Sequence, residues 1–225
     1  MTGMLQVHSN RGVRPCLTTT RAWRNIPPHP LEQGQANRGQ ASAATKARLV
    51  DQNSTGDRGT HRDLAMFNLA IDSKLRGCDV VTLKVEDVAP NGYTIDRATV
   101  RQRKTGRPVR FELTDQTRQA IDDYLRVSGK KPGEFLFTSC RRSSDCMTTR
   151  QYARLVAGWI DSIGLDPRVF STHSPRRTKA TLIYRRTGNL RAVQLLLGHT
   201  KIESTVRYLG IEVDDALALA EQVDV

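Results

Sequence analysis

The sequence has few cysteines and no long apolar run. Its 225 residues include four cysteines, and none of them forms a CxxC pair or a metal-ligand spacing with the five histidines. This spacing argues against a zinc site, and unpaired cysteines suit a reducing cytoplasm. Arginines at positions 11, 14, 21 and 24 interrupt the region where a signal peptide would need a continuous apolar segment. We therefore expect a soluble cytoplasmic protein that needs no metal or other cofactor and does not enter a membrane.

Acidic residues are scarce in two stretches that are rich in lysine and arginine. The net charge is +12, and residues 97–110 carry six bases and no acid. Residues 168–208 carry nine bases and a single acid, Glu203, whereas the last fourteen residues carry five acids and no base. Clustered positive charge of this kind is typical of a surface that binds a polyanion.

The composition divides the chain into three parts. Residues 1–45 mix Arg, Gln, Thr, Ser, Gly and Pro without a sustained period, which predicts a disordered or poorly ordered segment. A patterned region follows, and we expect residues 46–210 to form one domain. Residues 211–225 are predicted to be an acidic C-terminal helix or tail.

The patterned region predicts an α+β fold that is mostly helical. Tyr93–Ile95, Thr99–Gln102 and Pro108–Glu112 are short extended runs separated by turn signals, which indicates a small antiparallel β-sheet. From Tyr152 onward apolar residues repeat at helical spacing, so Trp159 is expected in the core and not on a nucleotide-stacking surface.

Helix signals concentrate between residues 172 and 210. Ser174 followed by Pro175 predicts an N-cap with proline at the first helical position. Gly198 is expected to end a short helix in a left-handed conformation, and Thr200 with Glu203 has the spacing of a capping box that starts the next one.

The last of these helices carries Tyr208. Its predicted core side is formed by Ile202, Val206 and Leu209. Tyr208 instead falls on the polar face, with Lys201, Ser204 and Thr205.

Three motifs follow one another in this part of the chain: THSPRRT (172–178), LLLGHT (195–200) and STVRYL (204–209). Two further motifs lie upstream, SKLRGCD (73–79) and RQRKTGRPV (101–109). Together they place six functional side chains in a fixed order, which are Arg76, Lys104, His173, Arg176, His199 and Tyr208. In this order and context the chain resembles the catalytic domain of the tyrosine recombinases, the phage integrase family, over roughly residues 60–210.

The resemblance implies a DNA strand transferase that recombines specific sites. Two arginines would hold the scissile phosphate, Tyr208 would attack it, and Lys104 on the predicted hairpin would be the general acid. His173 is expected to be the base or to orient the nucleophile, with His199 donating to the phosphate. Asp79 matches the acid that the family places three residues after the first arginine. Basic residues near these groups are expected to bind DNA: Arg101, Arg103, Arg107, Arg177, Lys179, Lys201 and Arg207.

The resemblance also implies partners and shows two departures. Family members act as tetramers on paired duplex DNA sites, in some cases with an accessory DNA-bending protein. This chain has Pro175 where the family usually has leucine, and its first 60 residues do not resemble the usual core-binding domain. Two alternatives to an active recombinase stay open: a decayed integrase that only binds DNA, and a type IB topoisomerase-like enzyme that relaxes DNA.

Overall fold

The computed structural model describes residues 43–49, 58–139 and 145–211. The predicted N-terminal segment 1–45 lies outside the described residues except for its last three, which belong to a helix. The predicted tail 211–225 lies outside them except for Ile211. Within the described ranges no helix is both long enough and apolar enough to cross a membrane.

The fold is mostly helical with one small sheet, as the sequence predicts. A 3-10 turn at Pro167–Val169 precedes the last three helices. In chain order the elements are α1 (43–49), α2 (Arg58–Ser73), α3 (Gly77–Val80), α4 (Val85–Val88), β1 (Arg97–Arg101), β2 (Pro108–Glu112), α5 (Asp115–Ser128), α6 (Thr149–Ser162), α7 (Ser174–Thr187), α8 (Leu190–Leu197) and α9 (Ile202–Leu209).

The sheet is a single antiparallel hairpin. Strands β1 and β2 pair with Val100 opposite Val109, and their connecting turn contains Gly106 at φ +65°. The prediction of a third strand at Tyr93–Ile95 is wrong. The Thr94 N–H and hydroxyl both donate to Asp122 Oδ1, at 2.9 and 2.6 Å. The carboxylate of Asp122 in α5 thus takes the backbone N–H of Thr94. This segment therefore does not hydrogen-bond to β1 or β2 as a third strand would.

The main core lies between α2, α5 and α6. Trp159 is 5% exposed and meets Phe67 edge-on with ring centroids 5.6 Å apart. Its indole N–H donates to Asp63 Oδ2 at 3.1 Å, which satisfies the polar atom of a buried tryptophan. The prediction that Trp159 belongs to the core is confirmed.

A second, smaller core lies under the last three helices. Ala180 of α7, Val193 and Leu197 of α8 and Leu209 of α9 are buried together, and Tyr208 packs against them. This core fixes α9 against α7, and therefore fixes Tyr208 relative to the start of α7.

A buried carboxylate connects the two cores. Asp72 at the end of α2 accepts hydrogen bonds from Thr114 and Thr117, and its other oxygen lies 2.5 Å from the Lys179 ammonium of α7. Burial raises the pKa of Asp72, but the Lys179 ammonium and the threonine hydrogen bonds outweigh it, so the pKa lies below its ordinary value. Lys179, a predicted DNA contact, has its ammonium paired with this carboxylate.

Candidate active site

Five of the six predicted catalytic side chains line one cavity of about 460 Å³. They are Arg76, His173, Arg176, His199 and Tyr208, which come from α7, α9 and three separate junctions. Arg177 and Ser174 complete the wall beside them. Residues up to 132 positions apart in the sequence are therefore brought to a single surface depression.

Arg76 sits at the N-cap of the short helix α3. Its backbone is extended, and its carbonyl accepts from the N–H groups of Asp79 and Val80 at 2.8 and 3.0 Å. The guanidinium donates to the side-chain oxygen of Gln102 at 2.6 Å. The next residue is a glycine, Gly77, and any larger residue would place its Cβ 3.2 Å from the Tyr152 ring.

Arg176 is 2% exposed and is held by two backbone carbonyls. One nitrogen donates to the carbonyl of Lys74, and the other donates to the carbonyl of Leu197 at 2.9 Å. The same nitrogen lies 3.5 Å from His199 Nε2. A buried guanidinium fixed in this way presents its charge to the cavity in one orientation.

Lys74 has an unusual conformation that the sequence did not reveal. It adopts φ +54°, and its buried ammonium donates to the Asp72 carbonyl at 2.6 Å. Burial and the nearby Lys179 charge lower the pKa of Lys74 to about 8. The left-handed backbone costs on the order of 1 kcal/mol, and it places the carbonyl of Lys74 against Arg176.

His199 is held in the tight junction between α8 and α9, as predicted. Gly198 ends α8 at φ +66°, and the His199 N–H donates to the Gln194 carbonyl at 3.1 Å. Its ring nitrogen Nδ1 lies 3.1 Å from the hydroxyl of Thr205. Thr205 is fully buried, which the predicted polar face of α9 did not suggest.

The tautomer of His199 follows from its neighbours. A guanidinium has only donors, so Nε2 facing Arg176 must be the acceptor, and Nδ1 then donates to Thr205. Burial, with the charges of Arg176 and Arg76, lowers the pKa of His199 to about 4, so the ring is neutral at pH 7. To donate to a phosphate, the ring must take the other tautomer, with Nδ1 accepting from the Thr205 hydroxyl.

Tyr208 has a buried hydroxyl that makes no hydrogen bond of good geometry within the described ranges, although the Arg176 guanidinium lies close enough to interact with it. The ring of His199 meets it edge-on with centroids 5.5 Å apart. The guanidiniums of Arg176 and Arg177 lie 5.8 and 5.1 Å from its ring centroid. Burial raises the pKa of Tyr208, while the positive charges of the two arginines oppose this shift.

The helix starts around the site differ from the predicted ones by one residue. His173, and not Ser174, is the N-cap of α7, because the Ser174 hydroxyl accepts from the Ser171 N–H at 3.0 Å. Pro175, predicted at the first helical position, is therefore at the second. Burial and the charges of nearby arginines lower the pKa of His173.

The predicted capping box of α9 does not form. The helix begins one residue later, with Lys201 as its N-cap, so Thr200 and Glu203 lose the register that the box requires. Ile202, expected on the core side, is 41% exposed, whereas Leu209 is buried as predicted.

Lys104 lies exposed in the turn between β1 and β2 and does not line the cavity. Asp79 holds this turn, because its Oδ1 accepts from the Arg103 N–H at 2.9 Å. The remaining predicted DNA contacts fall into three groups: exposed on the hairpin (Arg101, Arg103, Arg107), exposed on or next to α9 (Lys201, Arg207), and half-buried over the tyrosine ring (Arg177).

We predict that Gly198→Ala destabilises the protein more than Gly188→Ala does. Both glycines have left-handed φ angles, +66° and +63°, so each substitution costs about 1–2 kcal/mol of backbone strain. At Gly198 the new Cβ would also lie 2.7 Å from Val109 Cγ2, whereas at Gly188 it would meet nothing within 4 Å. Overpacking should add about 1–3 kcal/mol at Gly198 alone.

Urea unfolding of both variants measures this difference. Equal loss of stability at the two positions would show that the hairpin does not pack tightly against the His199 junction.

We also predict that His199 makes the folded state sensitive to acid. Its folded pKa of about 4 lies below the ordinary value of 6.5, so the unfolded chain takes up a proton first as the pH falls. The contribution of His199 to stability is therefore complete above pH 6.5 and is lost as the pH falls toward 4. His199→Gln should reduce the slope of stability against pH in this window, whereas Lys201→Gln at the same junction should not. Unfolding curves at intervals between pH 4 and 7 measure the slope, and an unchanged slope in His199→Gln would contradict the assignment.

Residues 44–213 match the profile of the phage integrase family. The chain belongs to the phage integrase family. It is 32% identical over 156 residues to tyrosine recombinase XerC of Caldanaerobacter subterraneus subsp. tengcongensis, covering 67% of this chain and 42% of the relative. It is 29% identical over 157 residues to the probable integrase/recombinase YoeC of Bacillus subtilis, covering 70% of this chain and 82% of the relative.

Solved structures of two recombinases share the fold of this phage integrase family member. The crystal structure of XerA recombinase matches with a TM-score of 0.61 at 21% identity, covering 88% of this chain and 65% of that one. The post-cleavage complex of XerH site-specific recombinase with palindromic difH substrate matches with a TM-score of 0.62 at 18% identity. The match covers 79% of this chain and 50% of that one. This chain spans less than half of the XerC relative and half of XerH.

Proposed function

We propose that this chain is a site-specific DNA recombinase that cleaves and rejoins DNA through a 3′-phosphotyrosyl intermediate. The observation that carries the proposal is the single cavity in which Tyr208 meets Arg76, Arg176 and two histidines. A phosphodiester needs a nucleophile, permanent positive charge and proton-transfer groups. The cavity and the hairpin beside it supply all three.

The two arginines hold the scissile phosphate in this proposal. Attack at phosphorus gathers charge on the non-bridging oxygens, and guanidiniums meet that charge with paired, permanently protonated donors. Arg176 is fixed by two carbonyls and Arg76 by Gln102, so neither needs to reorganise during the reaction. Each preorganised donor set of this kind contributes on the order of 10²- to 10³-fold to rate.

Two protons move during cleavage. One passes from the nucleophile to a histidine, and the other passes from a lysine to the leaving group. Burial keeps Tyr208 protonated at neutral pH, so its phenol proton passes to His173 as the oxygen bonds to phosphorus. The lowered pKa of His173 leaves it neutral and able to accept. The bond from phosphorus to the 5′-oxygen breaks, and Lys104 protonates that oxygen.

Rejoining reverses these steps with a different strand. The 5′-hydroxyl of a partner duplex gives its proton to the now neutral Lys104 as its oxygen bonds to phosphorus. The bond from phosphorus to the Tyr208 oxygen breaks, and His173 returns its proton to that oxygen. Phosphodiester bond energy is kept in the covalent intermediate, so ATP is not consumed.

Double-stranded DNA is the partner that this chemistry requires. The fold-sharing XerH structure is bound to its difH substrate, and the exposed arginines of the hairpin lie beside the cavity end of this chain. We further propose a homotetramer on paired sites in the cytoplasm, with an accessory DNA-bending protein for some sites.

A nicked-site DNA library tests the activity without knowledge of the target. The protein is incubated with the library, covalent adducts are isolated under denaturing conditions, and their DNA is sequenced. An enriched motif that then recombines when placed on two duplexes supports the proposal. Binding without adducts would favour a decayed integrase, and relaxation of supercoiled DNA without paired sites would favour a topoisomerase.

We predict that binding to a single half-site is weak and strongly dependent on salt. The hairpin and α9 arginines are exposed, and six to ten phosphate contacts of this type cost about 10³- to 10⁵-fold in affinity between 50 and 200 mM salt. An inverted pair of half-sites should bind more tightly per protomer, because contacts between protomers add to the phosphate contacts. Titration of both DNAs at matched salt measures this. Equal affinity per protomer with a shallow salt slope would contradict it.

A further inference from the structure

Gln102 is fully buried beside the active-site cavity, and the proposed chemistry uses it only to hold Arg76. It lies just after β1, and its side chain contacts three separate parts of the molecule. The amide oxygen accepts from Arg76 at 2.6 Å and from the Thr105 hydroxyl at 2.9 Å. The amide nitrogen lies 3.3 Å from the Leu197 carbonyl, to which it donates.

The backbone of Gln102 also closes the turn that carries Lys104. Its N–H donates to the Arg107 carbonyl at 2.8 Å, and its own carbonyl accepts from the Gly106 N–H at 2.8 Å. Thr105, which the side chain holds, directly follows Lys104 in this turn. One residue is therefore bonded both to a phosphate-binding arginine and to the turn of the proposed general acid.

The third contact extends this connection to the second arginine. The Leu197 carbonyl that Gln102 contacts is the same carbonyl that accepts from Arg176. Leu197 is the last residue of α8, two positions before His199. Only a side chain with both an acceptor and a donor can satisfy Arg76, Thr105 and this carbonyl together, and an amide has both.

We propose that Gln102 is a positioning residue that sets the distance between the arginine clamp and the Lys104 turn. This positioning role rests on the proposed recombinase function. In it, the position of the general acid Lys104 depends on the buried side-chain amide of Gln102. The hydrogen bonds described for this turn do not involve the exposed Lys104 side chain. The backbone of the turn therefore determines which positions its ammonium can reach. Loss of the amide frees Thr105 and Arg76 at the same time.

Gln102→Met tests the role with little change in volume, because methionine keeps the unbranched chain and removes both polar atoms. We compare its rate of covalent adduct formation with that of the unaltered protein on a nicked substrate. Misplacement of reacting groups by about 1 Å costs up to about 10²-fold in rate, so a loss of about 10- to 10²-fold is expected with DNA affinity within about twofold. Ile121→Val, in the core far from the cavity, serves as a control for lost stability.

A second substrate separates positioning from general destabilisation. A bridging 5′-phosphorothiolate leaves without protonation, so the part of the defect that acts through Lys104 should disappear. The double variant Gln102→Met, Lys104→Ala should also lose less rate than expected if the fold-losses of the two single variants were multiplied. Gln102→Glu keeps the acceptor but turns a carboxylate toward the Leu197 carbonyl, and it should recover only part of the rate.

Three results would overturn the positioning role. In the first, Gln102→Met is no slower than Ile121→Val. In the second, Gln102→Met loses the same fraction of its rate on both substrates, and the fold-loss of the double variant equals the product of the two single fold-losses. In the third, Lys104→Ala is itself not rescued by the phosphorothiolate, which removes the acid that Gln102 would position. Absence of adducts from the unaltered protein on both substrates would overturn the proposed function as well, which distinguishes the two failures.

Discussion

Tyr208→Phe is expected to abolish covalent attachment to DNA while leaving DNA affinity nearly unchanged. The substitution removes the only atom of the side chain that can attack phosphorus. The hydroxyl makes no hydrogen bond of good geometry within the described part of the chain, so its loss removes only a weak interaction with the Arg176 guanidinium. The ring remains to pack against His199 and beneath the two guanidiniums.

Denaturing gels measure the adduct and equilibrium titration measures the affinity. Tyr93→Phe is the matched control, because Tyr93 is 78% exposed and lies outside the cavity. It should form adducts at the normal yield. Normal adduct yield from Tyr208→Phe would exclude Tyr208 as the nucleophile.

Lys104→Ala is expected to slow cleavage by about 10²- to 10⁴-fold, the range for loss of a general acid. The side chain is exposed in a turn and makes no contact that the fold needs, so the variant should stay folded. A bridging 5′-phosphorothiolate should restore its rate, because the sulfur leaves without a proton. Single-turnover cleavage of the two substrates measures both effects.

Lys104→Arg separates acid catalysis from phosphate binding. Arginine keeps the positive charge but does not release a proton near neutral pH. The variant should therefore bind DNA normally, cleave the ordinary phosphate slowly, and be rescued like Lys104→Ala. A rate close to normal in Lys104→Arg would leave Lys104 as a phosphate-binding residue only.

The gathering of five predicted catalytic side chains in one cavity could be anticipated from the family resemblance, because they stand in motifs with a fixed order. Gly198 marked the His199 junction through its turn chemistry, and the left-handed conformation is present as predicted. Trp159 was placed in the core by helical periodicity alone. The last two features depend on local sequence, which is why periodicity and turn chemistry revealed them.

One structural prediction failed because a tertiary contact overrode a local signal, and another because a helix starts at a different residue. The carboxylate of Asp122 accepts from the backbone N–H of Thr94 in the predicted first strand. The Thr200 capping box failed because α9 starts one residue later. Asp122 lies 28 positions from Thr94 in the sequence, so no local pattern could reveal this contact.

The residues that hold the site in place were missed for the same reason. Gln102 and Lys74 bond to arginines across 26 and 102 positions of the chain, and no periodicity or motif signals such contacts. Thr205 was assigned to a solvent-facing side of α9, yet it is buried against His199. A hydrogen bond to a functional side chain can bury a threonine that hydropathy places outside.

Mass spectrometry of the trapped adduct identifies the residue that carries the DNA strand, which we propose to be Tyr208. Adducts formed on a nicked substrate are digested with trypsin and a nuclease, and the modified peptide is sequenced. Because no lysine or arginine follows Arg207, the peptide that contains Tyr208 is unique and easily assigned. We expect a nucleotide joined to Tyr208 through its 3′-phosphate, together with a free 5′-hydroxyl on the released strand. A nucleotide on any other residue, or a link through a 5′-phosphate, would contradict it.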